Sequence, residues 1–154
     1  MTSGYAVVTG AIALAAATAK SALGVIAAAT GGITLVEFGV SFDGTSAAAV
    51  PVLVELCATS AATAGTGTAF TPALLRGDPA DAAQATAAVN YTAEPTVLVT
   101  LKQWLVSPTS GLLVQAPLGR EIVAGASATA RKGLVLRLTA PAVVNARCYA
   151  EFEE

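Results

Sequence analysis

The feature that most limits what this chain can fold into is a two-residue hydrophobic period that recurs along it, with no stretch that sustains a helical period. Successive side chains of a strand point to opposite faces, so such alternation describes strands with one face in a core. Thr34, Val36, Phe38, Val40 and Phe42 fall on one face and Leu35, Glu37, Gly39 and Ser41 on the other, and Asp43-Gly44-Thr45-Ser46 closes the run as a turn. Val50, Val52, Val54 and Leu56 alternate with Pro51, Leu53, Glu55 and Cys57, with Pro51 marking an edge or a strand start. Val97, Val99, Leu101, Gln103 and Leu105 alternate with Leu98, Thr100, Lys102, Trp104 and Val106. Pro108-Thr109-Ser110-Gly111 is a turn and Leu112 to Ala116 a further strand, so this pair reads as a hairpin. Near the end Leu134, Leu136 and Leu138 alternate with Val135, Arg137 and Thr139. Ala140-Pro141-Ala142 then interrupts, and Val144, Ala146, Cys148, Ala150 and Phe152 alternate with Asn145, Arg147, Tyr149 and Glu151.

The remaining segments carry weaker patterns. Residues 11–19 and 21–29 are alanine-rich, which suits a helix. They lack an N-cap and an amphipathic stripe, and their Thr, Val and Ile favour two strands. Residues 86–92 read as a short strand, 58–67 as a small-residue loop, and 70–83 and 121–132 as long connections. The expectation is all-β: an antiparallel β-sandwich of about eight strands, arranged as a jelly roll, forming one domain over residues 1–154.

Composition narrows the chemistry. Charged residues make up 12% of the 154, about half the ~25% of ordinary soluble domains. Few charges leave apolar surface to be covered by partners, which favours a homo-oligomer. With 8 basic and 10 acidic residues the net charge is -2, so the electrostatic footprint of a nucleic-acid binder is missing. There is no histidine, which removes Ser-His-Asp and Cys-His catalysis and His-ligated zinc. No Ser-x-x-Lys motif replaces it, and Gly65-Thr66-Gly67-Thr68 lacks the lysine of a phosphate loop. The expectation is therefore no catalytic residues, no cofactor and no metal. Asp78 and Asp81 read as a solvated loop, and Glu151, Glu153 and Glu154 as a solvated acidic end. Met1 to Ala19 and Ser21 to Val36 carry no charge, but glycines and threonines break both, and neither a membrane span nor a signal segment is expected.

Several residues suit contacts rather than chemistry. Trp104, the single tryptophan, is a core or interface anchor. Arg131-Lys132, the only adjacent basic pair, reads as a solvated loop or an intersubunit contact. Arg137 and Arg147 face away from the core and suit carboxylates such as Glu37 and Glu55 across a sheet or a subunit. Cys57 and Cys148 suit two buried thiols, although a disulfide between them stays open.

The blocks Val36-Glu37-Phe38-Gly39-Val40-Ser41-Phe42-Asp43-Gly44 and Val50-Pro51-Val52-Leu53-Val54-Glu55-Leu56 resemble small β-sandwich virion proteins of tailed bacteriophages. So do Ala93-Glu94-Pro95-Thr96-Val97-Leu98, Pro117-Leu118-Gly119-Arg120-Glu121, Leu138-Thr139-Ala140-Pro141 and the closing Ala150-Glu151-Phe152-Glu153-Glu154. The resemblance covers residues 33–154 and consists of structural phrases. It implies a capsid decoration (cement) protein, a homotrimer seated on the major capsid protein at the outer surface of the virion. Alternatives in the same setting are a head fibre, a tail-associated part or a receptor-binding module; outside it stands a lectin-like binding module. In such a protein the uncharged residues 1–10, with Thr2, Ser3, Gly4 and Tyr5, would form an N-terminal arm lying on a neighbour or adding a strand to its sheet. Deleting residues 2–10 would then weaken partner binding and leave the sandwich folded.

Overall fold

A computed structural model describes residues 2–43, 50–60, 65–96, 98–125 and 131–154. Among these residues thirteen strands form two antiparallel sheets that enclose one hydrophobic core, a β-sandwich. In chain order they are β1 (Gly4–Val8), β2 (Ile12–Leu14), β3 (Ala19–Ile26), β4 (Ile33–Asp43), β5 (Val52–Thr59), β6 (Thr66–Phe70), β7 (Ala73–Arg76), β8 (Thr86–Ala93), β9 (Leu98–Val106), β10 (Leu112–Gln115), β11 (Ile122–Ala124), β12 (Gly133–Thr139) and β13 (Val144–Glu153). The seven-stranded sheet runs β10-β4-β13-β1-β7, with β11 also on β4 and β2 on β13. The six-stranded sheet runs β6-β8-β3-β12-β5-β9. The expected all-β antiparallel sandwich forms, with thirteen strands among the described residues where about eight were expected.

The core follows the alternation where it is strong. Leu134, Leu136 and Leu138 on β12 face Ala146, Cys148, Ala150 and Phe152 on β13, and Val52, Val54 and Leu56 on β5 join them. The two strands expected within residues 11–29 form as β2 and β3, with no helix between them. Among the register shifts of the ladders, those on β4, β9 and β3 change which residues point inward. On β4, Glu37 pairs with Glu151 but Leu35 pairs with Phe152, so Val36 is an extra residue. Ile33 and Leu35 therefore face inward together with Phe38 and Val40, and the single face predicted for Thr34 through Phe42 is broken there. On β9, Lys102 pairs with Leu56 and Thr100 with Cys57, which makes Leu101 the extra residue. On β3 the extra residue is Ala22, between the partners of Leu136 and Arg137.

Four other expectations are corrected. Leu98–Val106 and Leu112–Gln115 are not a hairpin: β9 pairs with β5 in one sheet and β10 with β4 in the other. The turn between them is a corner, in which Ser110 and Gly111 donate backbone bonds to Ser107 O and Gly111 takes φ +67. The connection at 70–83 contains β7, paired with β1, and that at 121–132 contains β11, paired with β4. The loop at 58–67 is shortened from both ends, because β5 runs to Thr59 and β6 starts at Thr66; its residues 61–64, like most of the 43–46 turn and 126–130, lie outside the described residues. Residues 4–8 are not an arm. β1 lies between β13 and β7, and Tyr5 and Val7 are buried, because their alternation completes the inner face of the sheet.

Candidate functional site

The polar side chains of the described residues are largely consumed in holding strands together. Arg137 Nε donates to Glu55 Oε2 at 2.9 Å, and Thr100 Oγ1 donates to the other Glu55 oxygen at 3.1 Å. Arg147 pairs with Asp43 at 3.1 Å, not with Glu37. Glu37 instead accepts from Tyr149 Oη at 2.5 Å and from Gln115 Nε2 at 3.1 Å. The acidic end is not simply solvated: Glu153 pairs with Arg76, and the Glu154 carboxylate accepts from the Gln84 and Ala85 amides, both at 2.8 Å. Asp81 accepts from the Ser3 hydroxyl at 2.6 Å, and Asp78 accepts from the Ala80 amide within its own turn. No group of three or more acidic or cysteine side chains placed to hold a metal occurs among the described residues.

Both cysteines are free and buried, on different sheets. Burial pushes the Cys148 thiol up to about 12, and burial is also the largest cause of the rise at Cys57. A thiol held protonated is a poor nucleophile.

One connection has an unusual task. β8 and β9 lie on opposite sides of β3, β12 and β5, and residues 94–97 join them. β8 leaves its ladder with β3 after Val89 and bends at Asn90, whose φ of +49 is one asparagine tolerates. Tyr91 then covers Gly24, where a Cβ would sit 2.3 Å from its hydroxyl oxygen. Glu94 accepts from the Ser21 amide at 2.8 and 3.0 Å and from its hydroxyl, along the stretch of β3 that β8 no longer pairs. Beneath this strap Val135 and Cys57 are fully buried although they stand outside the main core. Burial, with the Glu94 carboxylate as a smaller cause, raises the Tyr91 phenol to about 12.

The outer face of the seven-stranded sheet has no such cover among the described residues. The register aligns Leu113, Gly39, Tyr149 and Val8 in one row across β10, β4, β13 and β1. Leu113 is 65% exposed and Val8 50%. The Tyr149 ring occupies the space that a side chain at Gly39 would need. A shallow groove of about 430 Å³ follows this row, with Arg147 and Ser41 on one flank. Glu37 and Glu151 form the next row on the other flank.

The sequence-predicted contact residues are dispersed. Thr2 is exposed, but Ser3, Gly4 and Tyr5 are buried in their own sheet, so they present no contact surface. Arg131 is exposed and reaches Val123 O at 3.4 Å. The Lys132 backbone ties Thr59 to Ala27, each bond at 2.9 Å. Trp104 is half-buried on β9 and meets the Phe38 ring edge-on at 5.5 Å between centroids. Around Trp104 the two sheet edges leave a cleft that also takes in Lys102 and Arg120. Sequence reading missed this pairing of two cations with the tryptophan. The alternation does put Lys102 and Trp104 on one face, but only the fold brings Arg120 to them.

Comparison with protein-family models, with curated proteins and with solved structures found no match to this chain.

Proposed function

We propose that this chain is a non-enzymatic structural protein of a tailed-bacteriophage virion, a decoration protein that binds the outer capsid shell as a homo-oligomer. The observation that carries the reading is the uncovered outer face of the seven-stranded sheet, where Leu113, Tyr149 and Val8 form a continuous row. A decoration protein works by burying area across subunit boundaries, and exposed apolar rows suit that task. The engagement of Arg76, Arg137, Arg147 and their carboxylate partners in strand-to-strand pairs supports a static role.

The test is co-sedimentation of the purified protein with shells assembled from the capsid protein of a phage encoding it, alongside its solution mass by light scattering. Saturable binding that Leu113→Asp or Val8→Asp abolishes, and a mass near three times 15.1 kDa, support the reading. A monomer that ignores shells refutes it.

A further inference from the structure

β9 is the last strand of the six-stranded sheet, and its outer edge pairs with nothing among the described residues. A nine-residue edge strand offers a row of free backbone donors and acceptors. Val99 and Leu105, 57% and 73% exposed, add apolar surface beside it. Such an edge invites strand addition unless something blocks it, and the one charged residue on β9 is Lys102.

Lys102 stands on the same side of β9 as Trp104, because they oppose Leu56 and Val54, both inward-facing on β5. It therefore points toward the gap between the two sheets, which is the position of a charge that guards an edge. The far wall of that gap comes from the other sheet and its β10–β11 link: Phe38, Val114, Ile122 and Arg120. Lys102 and Arg120 have no carboxylate partner among the described residues. The floor is the Trp104–Phe38 pair. The cavity measures about 180 Å³, below the ~300 Å³ at which small-molecule sites begin. It has room for one side chain, not for a cofactor.

We propose that this edge and cleft receive an extended acidic segment of a partner protein by strand addition. The segment pairs its backbone with β9. One leucine- or phenylalanine-sized side chain enters the cleft over Trp104, and the residue two positions away on the same face places a carboxylate between Lys102 and Arg120. Two-residue spacing follows from the strand period, and the acid follows from the two cations. Lys102 thus rejects neutral and basic strands and admits acidic ones. Pro117 to Arg120 build the rim as a tight turn, closed by the Arg120 amide on Pro117 O at 2.9 Å, with Gly119 at φ +79. That turn displays Leu118, 97% exposed, beside the entrance. The inference stands apart from the virion reading, since it specifies the partner by chemistry alone.

Trp104 makes the test direct, because the single tryptophan reports on its own cleft. The probes are acetylated, amidated nine-residue Ser/Thr peptides with Glu-Thr-Leu or Leu-Thr-Glu at the centre, and controls with Lys in place of Glu. Titration of the full chain with an acidic peptide is expected to shift Trp104 emission to the blue, with binding that weakens as salt rises. Lys102→Glu is expected to lower affinity for the acidic peptide about fivefold and to raise it for the lysine peptide. Arg120→Ala, on an exposed turn, gives the same loss without the reversal and serves if Lys102→Glu does not fold. Equal binding of acidic and basic peptides, or no emission change with any peptide, overturns the proposal. A blue shift that follows protein concentration without peptide also overturns it, because the occupant is then a second copy of this chain.

Discussion

Replacing Glu55 by alanine tests how the six-stranded sheet is held. The Glu55 side chain is 10% exposed and accepts from both Arg137 and Thr100. Its loss strands a guanidinium and a hydroxyl. Breaking a fully buried pair costs about 3–5 kcal/mol. Arg137 retains 24% exposure and can turn toward water, so the expected cost is about 2–3 kcal/mol. Glu55→Gln keeps an acceptor and is expected to cost about 1 kcal/mol. The double variant Glu55→Met/Arg137→Leu removes both charges together and is expected within about 1 kcal/mol of the parent. Urea unfolding followed by Trp104 fluorescence measures all three. At slopes of ~1–3 kcal/mol per molar, Glu55→Ala moves the midpoint down by about 0.7–3 M. If the double variant is no more stable than Glu55→Ala, the lost charge partner is not the source of the cost and the reasoning fails.

Three further outcomes follow from the same geometry. Deleting residues 2–8 removes β1 from between β13 and β7, with Tyr5 and Val7 each contributing about 1.5–3 kcal/mol of burial; circular dichroism and gel filtration should show an unfolded or aggregated chain, and a native melt would restore the arm reading. Gly24→Ala forces Tyr91 off the sheet and should lower stability by about 1–3 kcal/mol, against little change for Gly31→Ala, where a Cβ meets open space; equal melting temperatures would show that the strap yields freely. Cys148 and Tyr91 have pKa values of about 12 in the fold against 9 and 10 unfolded, so their contribution is intact below pH 9 and lost as pH rises from 9 to 12. Urea midpoints flat across that range would contradict the burial of these groups, as would Cys148 alkylating in the native protein at pH 8 as fast as in the unfolded chain.

The sequence was legible where alternation is long and chemically sharp. β12 and β13 were readable residue by residue and β5 as far as Cys57, and the outward positions of Arg137 and Glu55 marked both as candidates for a cross-strand pair, with Glu37 an equal candidate. The short strand β11 was not legible, because three residues are too few to show a period. β7 was hidden beside Pro72, Gly77 and Pro79, which carry a turn signal stronger than four residues of alternation. The candidate contact residues fared worst. Thr2 to Tyr5 lack charge for the same reason that core strands do, and an uncharged segment reads alike as an arm or as a buried strand until its partners are known.

Local pattern determined that this chain makes strands and which positions alternate in the long ones. That information is carried by nearest neighbours along the chain and survives without knowledge of the fold. Tertiary structure alone decided the sheet to which each strand belongs, the phase of β3, β4 and β9 after their bulges, the separation of β8 from β9 by three strands, and the meeting of Lys102, Trp104 and Arg120 at an open edge. A hairpin and a corner between sheets have the same turn residues, and one extra residue in a ladder reverses every face beyond it. Both are settled by which strands compete for the same core, a property of the whole chain and of no segment in it.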